Sequence, residues 1–162
     1  VAARAEILKS NLERMGVSNA VVLNETPARI AAALPEFFDR VLVDAPCSGE
    51  GMFRKEPAAL AQHCEALVKQ CAELGADILD SAAAALAPGG ELLYSTCTLL
   101  RRENEDVVSA FLEAHPQFGP EPFQLPGVPG TEGSSWMLTL WPHIQGTDGF
   151  FISRMKKREE AL

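Results

Sequence analysis

Apolar positions along the chain alternate between helical spacing and short continuous runs. In "VAARAEILKSNLERMGV" (1–17), Ile7, Leu8, Leu12 and Met15 share one helical face before Gly16 stops the pattern. "NAVVL" (19–23) reads as a short β-branched strand, and Pro27 opens a short helix within "PARIAAALPEFF". "RVLVDAP" (40–46) is a continuous apolar run of the kind found in buried parallel strands. Residues 57–86 are alanine-rich and helical, opened by Pro57 and closed by "PGG" at 88–90, and "ELLYSTC" (91–97) is the next strand.

A helix is expected from about Arg102 to His115, then a Pro/Gly-rich loop, then strands "WMLTLW" and "GFFISRM". Strands alternating with helices predict an α/β domain around a mostly parallel sheet. The connection "PHIQGTD" is too short for a crossover helix, so the last two strands are expected to be antiparallel.

Composition narrows the class. With 162 residues, 47% hydrophobic and 22% charged, the chain can bury a sizeable core. It has no apolar run near the roughly 20 residues that span a bilayer and no signal-peptide pattern, so a soluble, cytoplasmic protein with no membrane partner is expected. A net charge of −8 argues against nucleic-acid binding over the whole surface but leaves room for a local basic patch. The sequence opens on Val1 inside a helical pattern and closes on the charged "RMKKREEAL". Both ends suggest part of a longer chain, with residues 156–162 as a linker or the start of a further element.

The candidate chemistry lies at strand ends. Ligands of open α/β sheets bind beyond the carboxyl ends of the strands. Asp44 and Cys47 follow one strand, and Cys97 ends the next. A single right-handed helical crossover would make those strands parallel neighbours about 4.8 Å apart, so both thiols would face one cleft. On these grounds alone Cys47, in the Pro-Cys loop, would be favoured as the nucleophile; either would have to act as a thiolate.

Cys64 and Cys71, seven positions apart on the alanine-rich helix, are about 10.5 Å apart by helical rise and are expected to be core residues. "HCE" (63–65) lacks the following Pro-Cys-X-X-Cys of a zinc deaminase, so no metal site is expected. "GEGMFRK" lacks the Gly-Lys-Ser/Thr of a phosphate-binding loop, although Arg54 and Lys55 could hold a phosphate.

"DAPCSGEGMFRK", "PGGELLYSTCTL", "ENED" and "WPHIQGTDGFF" together resemble the Sun family of RNA cytosine-5 methyltransferases, especially the bacterial branch acting on small-subunit ribosomal RNA. The likeness runs from about residue 1 to 155. It implies a Rossmann-like class I methyltransferase sheet, here strands 3 to 7 with a final antiparallel strand and helices on both faces. It implies S-adenosyl-L-methionine as cofactor, without a metal, and ribosomal RNA as substrate. By the same resemblance Cys97 is the nucleophile that adds to cytosine C6, and Cys47 helps break down the adduct. Asp44 would contact cofactor and base, Thr26 would lie on the adenine side, and Pro46, Arg54 and Lys55 would contact substrate. A non-catalytic RNA-binding or scaffold module with this fold is the competing reading.

The resemblance also places the family's glycine-rich cofactor loop and the acidic residue for the ribose hydroxyls ahead of residue 1. Strand "NAVVL" would then lose its neighbour, and "RVLVDAP" would present a long apolar edge. Three outcomes are open: completion of the sheet by another copy, repairing of "NAVVL" elsewhere, or self-association through the exposed edge.

Overall fold

The computed structural model describes residues 2–52 and 63–159. Its helices are α1 (Ala2–Arg14), α2 (Pro27–Ala33), α3 (Glu65–Ala85), α4 (Glu105–Ala114) and α5 (Pro142–Gln145). Its strands are β1 (Phe38–Asp44), β2 (Leu86–Thr96), β3 (Phe118–Pro120), β4 (Met137–Leu140) and β5 (Phe150–Lys157). The sheet runs in the order β1-β2-β5-β3, with β4 also paired to β5. β1 and β2 are parallel, and β5 is antiparallel to β2, β3 and β4.

The α/β architecture and the antiparallel closing pair agree with the sequence pattern, but among the described residues only β1 and β2 pair in parallel where a mostly parallel sheet was expected, because β5 returns antiparallel beside β2. One face of the sheet carries Val43, Leu92, Tyr94, Phe151 and Met155, which pack against Leu79 and Ala82 of α3 and Val108 and Phe111 of α4. The paired register puts these strand residues on the same side, as the two-residue period requires. The expected helical cover is met on that face only, among the described residues. On the other face Leu42 is 67% exposed, and α1 buries none of its residues.

Several expectations are corrected locally. Residues 19–23 form no strand, and Val21 is 84% exposed. A β-branched run becomes a strand only where a neighbour takes its backbone hydrogen bonds and covers one face. Helix α1 forms as expected, yet Ile7, Leu8 and Met15 remain exposed. The "PGG" segment lies inside β2 as an irregularity: the partner of Phe38 is Leu86 but that of Arg40 is Glu91, and Gly89 has φ 78. Cys64 is exposed and precedes α3 at its N-cap, while Cys71 is buried as expected. Residues 53–62, including Arg54, Lys55 and Pro57, lie outside the described residues.

The C-terminal end of α3 is tied to the last strand. The buried Lys157 of β5 donates to the carbonyls of Leu86 and Ala83 at 2.8 and 3.4 Å, and to Glu36 at 2.8 Å. This uses all three ammonium donors and sets a cation at the negative end of the helix. Glu36, held at φ 50, donates its own N–H to Ala84 O. Lys157→Ala is expected to lower unfolding free energy by about 2 kcal/mol in urea titration, because the carbonyls lose a charged donor.

Candidate active site

The parallel register that pairs Asp44 with Ser95 brings the two cysteine loops out of the sheet side by side. Ala45 N–H donates to Ser95 O, extending the ladder one residue past β1. Cys47 and Cys97, both half-buried, end with their Sγ atoms 3.0 Å apart. The Cys97 N–H also donates to Cys47 Sγ at 3.3 Å. The structure thus brings together the two thiols that the strand-end argument placed in one cleft.

Their proton affinities diverge. Donation from Cys47 to Cys97 Sγ favours a thiolate on Cys97 and lowers it to about 7, against opposition from burial and from the Asp44 and Glu103 carboxylates. The same hydrogen bond, together with burial, pushes the Cys47 thiol up. The Cys97 N–H aimed at Cys47 works the other way and is the weaker influence. The pair therefore gives up one proton near neutral pH and holds the second.

Backbone contact fixes the loops to each other. Past Cys47 the chain enters a 3-10 turn, Glu50–Met52, in which Gly51 N–H donates to Cys97 O at 2.9 Å. Gly149 N–H in turn donates to Gly51 O at 3.1 Å. A Cβ on Gly51 would lie 2.3 Å from Gly149 O and 2.6 Å from Cys97 O, so only glycine permits this approach. "TDGFF", which could have been a plain connection, is in this way a third wall of the site. His63 approaches the same turn, with Nε2 3.1 Å from Glu50.

Asp44 and Pro46 are exposed at the end of β1. Thr26 is the N-cap of α2, where its hydroxyl accepts from Arg29 N–H at 3.4 Å. Between α2, β1 and α3 runs a groove of about 460 Å³ whose apolar walls include Pro27, Ile30, Val41 and Ile78, with Asp44 also in its lining.

Sequence reasoning missed the groups behind the thiols. Glu103 and Asn104, noticed only as part of "ENED", are almost fully buried. Glu103 accepts from Ser48 N–H and Ser48 Oγ–H, while Asn104 bonds the residues on either side of Cys97. Tyr94 Oη–H donates to Glu103 O at 2.9 Å, and burial pushes that phenol up, keeping it a donor. The available signal was the placement of Glu-Asn directly after a strand-end cysteine loop, at the mouth of a helix.

The sheet and its helices form a Rossmann-like α/β fold of the kind found in Sun-family methyltransferases. Within that class, the chain belongs to the 16S rRNA methyltransferase RsmB/F family, whose model matches residues 1–156. It is 40% identical to the ribosomal RNA small subunit methyltransferase F of Escherichia coli O7:K1 over 98% of this chain and 34% of the relative. It is 41% identical to the methyltransferase F of Shewanella amazonensis over 96% of this chain and 34% of the relative. The chain therefore spans about a third of the length of these curated relatives.

Among solved structures, the protein PH0851 superposes with a TM-score of 0.87 at 33% identity, covering 96% of this chain and 35% of that one. NSun6 from Pyrococcus horikoshii, solved with SFG, superposes with a TM-score of 0.81 at 26% identity, covering 99% of this chain and 40% of that one.

The shared proton is directly testable. Iodoacetamide alkylation of Cys97 is expected to rise through a midpoint near pH 7, below which the protonated thiol is unreactive. Cys47→Ala removes the stabilising donor, so the midpoint should move up toward the ordinary thiol range in a pH series read by peptide mass spectrometry.

Proposed function

We propose that this chain carries the two-thiol site of a methyltransferase that modifies C5 of a cytosine in ribosomal RNA, using S-adenosyl-L-methionine and a covalent adduct at cytosine C6. The observation that carries the reading is the Cys47–Cys97 pair, two thiols 3.0 Å apart at the ends of neighbouring parallel strands. Membership of an rRNA methyltransferase family supplies the substrate class. The likeness to a structure solved with SFG, an analogue of S-adenosylmethionine, supports the cofactor.

The groove beside β1 fits the cofactor's adenosyl side in character, with apolar walls and Asp44 at the strand end. Asp44 would hold the cofactor and the target base. Thr26 would lie on the adenine side, with its hydroxyl committed to capping α2. Pro46 would border the base, and Arg54 and Lys55 would contact the RNA phosphates. When bound, the cofactor supplies an electrophilic methyl group.

The thiolate of Cys97 adds to C6, and the electron pair of the C5–C6 double bond shifts to make C5 nucleophilic. After methylation, the C5 proton must leave. Its bonding pair re-forms the double bond and expels Cys97 as a thiolate. Once its sulfur is bonded to carbon, Cys97 no longer holds the Cys47 proton in place by charge or as a strong acceptor. Cys47 then ionises more easily and can assist removal of the C5 proton. Addition at one sulfur thus prepares the second for release.

The competing reading, an RNA-binding or scaffold module without turnover, is not favoured, since binding alone has no need of two thiols sharing one proton. For the chain alone, the apolar β1 edge supports self-association through strand pairing. Leu42→Lys should shift sedimentation velocity profiles toward monomer. An unchanged monomeric profile in both forms would remove that proposal.

In the full-length polypeptide, RNA bearing 5-fluorocytosine should trap a covalent complex, because fluorine at C5 cannot leave as a proton does. Cys97→Ala should abolish the trapped species. Cys47→Ala should retain it and accumulate adduct on ordinary RNA. The opposite pattern would exchange the two roles.

A further inference from the structure

Glu103 and Asn104 occupy the turn between the Cys97 loop and α4, and they are 1% and 0% exposed. A carboxylate and an amide buried this deeply are costly unless every polar atom is satisfied. Both bonds to the Glu103 carboxylate come from one residue: Ser48 N–H donates to Oε2 at 2.8 Å and Ser48 Oγ–H to Oε1 at 2.5 Å. Ser48 is the residue after Cys47. Asn104 treats the other loop in the same way. Its Oδ1 accepts from Thr96 Oγ1–H at 2.6 Å, and its Nδ2 donates to Thr98 O at 3.0 Å. Thr98 Oγ1–H, 3.2 Å from Ser48 Oγ, joins the two halves.

Asn104 is also the N-cap residue of α4, a position at which asparagine ordinarily bonds the helix's first free N–H groups, yet it makes no such cap. Its side chain is turned to the cysteine loop instead. Two consecutive residues thus each hold one of the two thiol loops.

We propose that Glu103 and Asn104 are positioning residues forming a clamp with two arms, Glu103 setting the release thiol Cys47 through Ser48 and Asn104 setting the attacking thiol Cys97 through Thr96 and Thr98. The roles named for the thiols rest on the reading given under Proposed function; the clamp itself rests on the hydrogen bonds alone. Although the Ser48–Thr98 contact links them, each arm bonds a different thiol loop, so damage to each affects a different step first. A loosened Glu103 arm lets Cys47 drift from Cys97, so the C5 proton is removed slowly and the Cys97–C6 bond persists. A loosened Asn104 arm slows formation of that bond.

The test uses the full-length protein and two readouts. The first needs no RNA: iodoacetamide alkylation at pH 8.5, with each thiol followed by peptide mass spectrometry. Glu103→Gln should speed labelling of Cys47 about tenfold, because a thiol no longer held against the Cys97 sulfur ionises more readily. Cys97, which loses its Cys47 donor as Cys47 drifts, should label no faster than in the wild type. Asn104→Ala should alter Cys97 and spare Cys47. Equal changes at both thiols, or none, would overturn the clamp.

The second readout is turnover. Glu103→Gln should accumulate covalent RNA complex with release slowed by about ten- to a hundredfold, while Asn104→Ala should slow complex formation. Should wild-type protein form no RNA adduct, the reaction assigned above fails, and the labelling rates still decide the clamp. If circular dichroism shows Glu103→Gln to be unfolded, Ser48→Ala removes only the hydroxyl half of that arm and must give the same preference for Cys47.

Discussion

The parallel pairing of β1 with β2 is the constraint on which the site depends. A register that sets Asp44 opposite Ser95 leaves three residues to reach Cys47 and two to reach Cys97. The sulfurs therefore meet just beyond the sheet, where its backbone can no longer hold them. Slippage by one residue would carry one cysteine to the opposite face. The packed face of β2, with Leu92 and Tyr94 against α3 and α4, prevents that slip because its alternate positions are filled. Ordinary core packing thereby fixes a distance between two reactive atoms.

Beyond the sheet, polar contacts replace apolar ones. Ser48, Thr96, Thr98, Glu103 and Asn104 are all buried, and they bond mainly to one another. Such a network stabilises little relative to apolar packing, but it tolerates few alternative arrangements. That suits a region that must place two thiols and keep one of them charged. The neighbouring Asp44 and Glu103 carboxylates oppose that charge, so the Cys47 donor has to outweigh them.

Much of this was legible from residue pattern. The run ending at Cys97 is a strand buried between two neighbours, whereas the run ending at Asp44 is an edge strand with only Val43 buried, held by its pairing with β2. Their convergence follows from topology alone. Residues 19–23 have the same β-branched character but no partner strand among the described residues, and strand formation depends on the partner as much as on the residue. Cys64 was misplaced because the alanine-rich pattern marks a helix well but its start poorly. Glu103 was invisible as a site residue: its sequence neighbours are charged, and a buried carboxylate looks like a solvated one until its donors are located.

The meeting of Gly51 and Gly149 carries a consequence for motion. A Cβ on Gly149 would sit 2.7 Å from Gly51 Cα, so two stretches of main chain touch with no side chain between them. Side chains can change rotamer and absorb a displacement, whereas abutting peptides cannot. The loop after Cys47 and the loop before β5 are consequently coupled as one rigid body. Any opening of the cleft must either move them together or leave both in place and come from elsewhere around it.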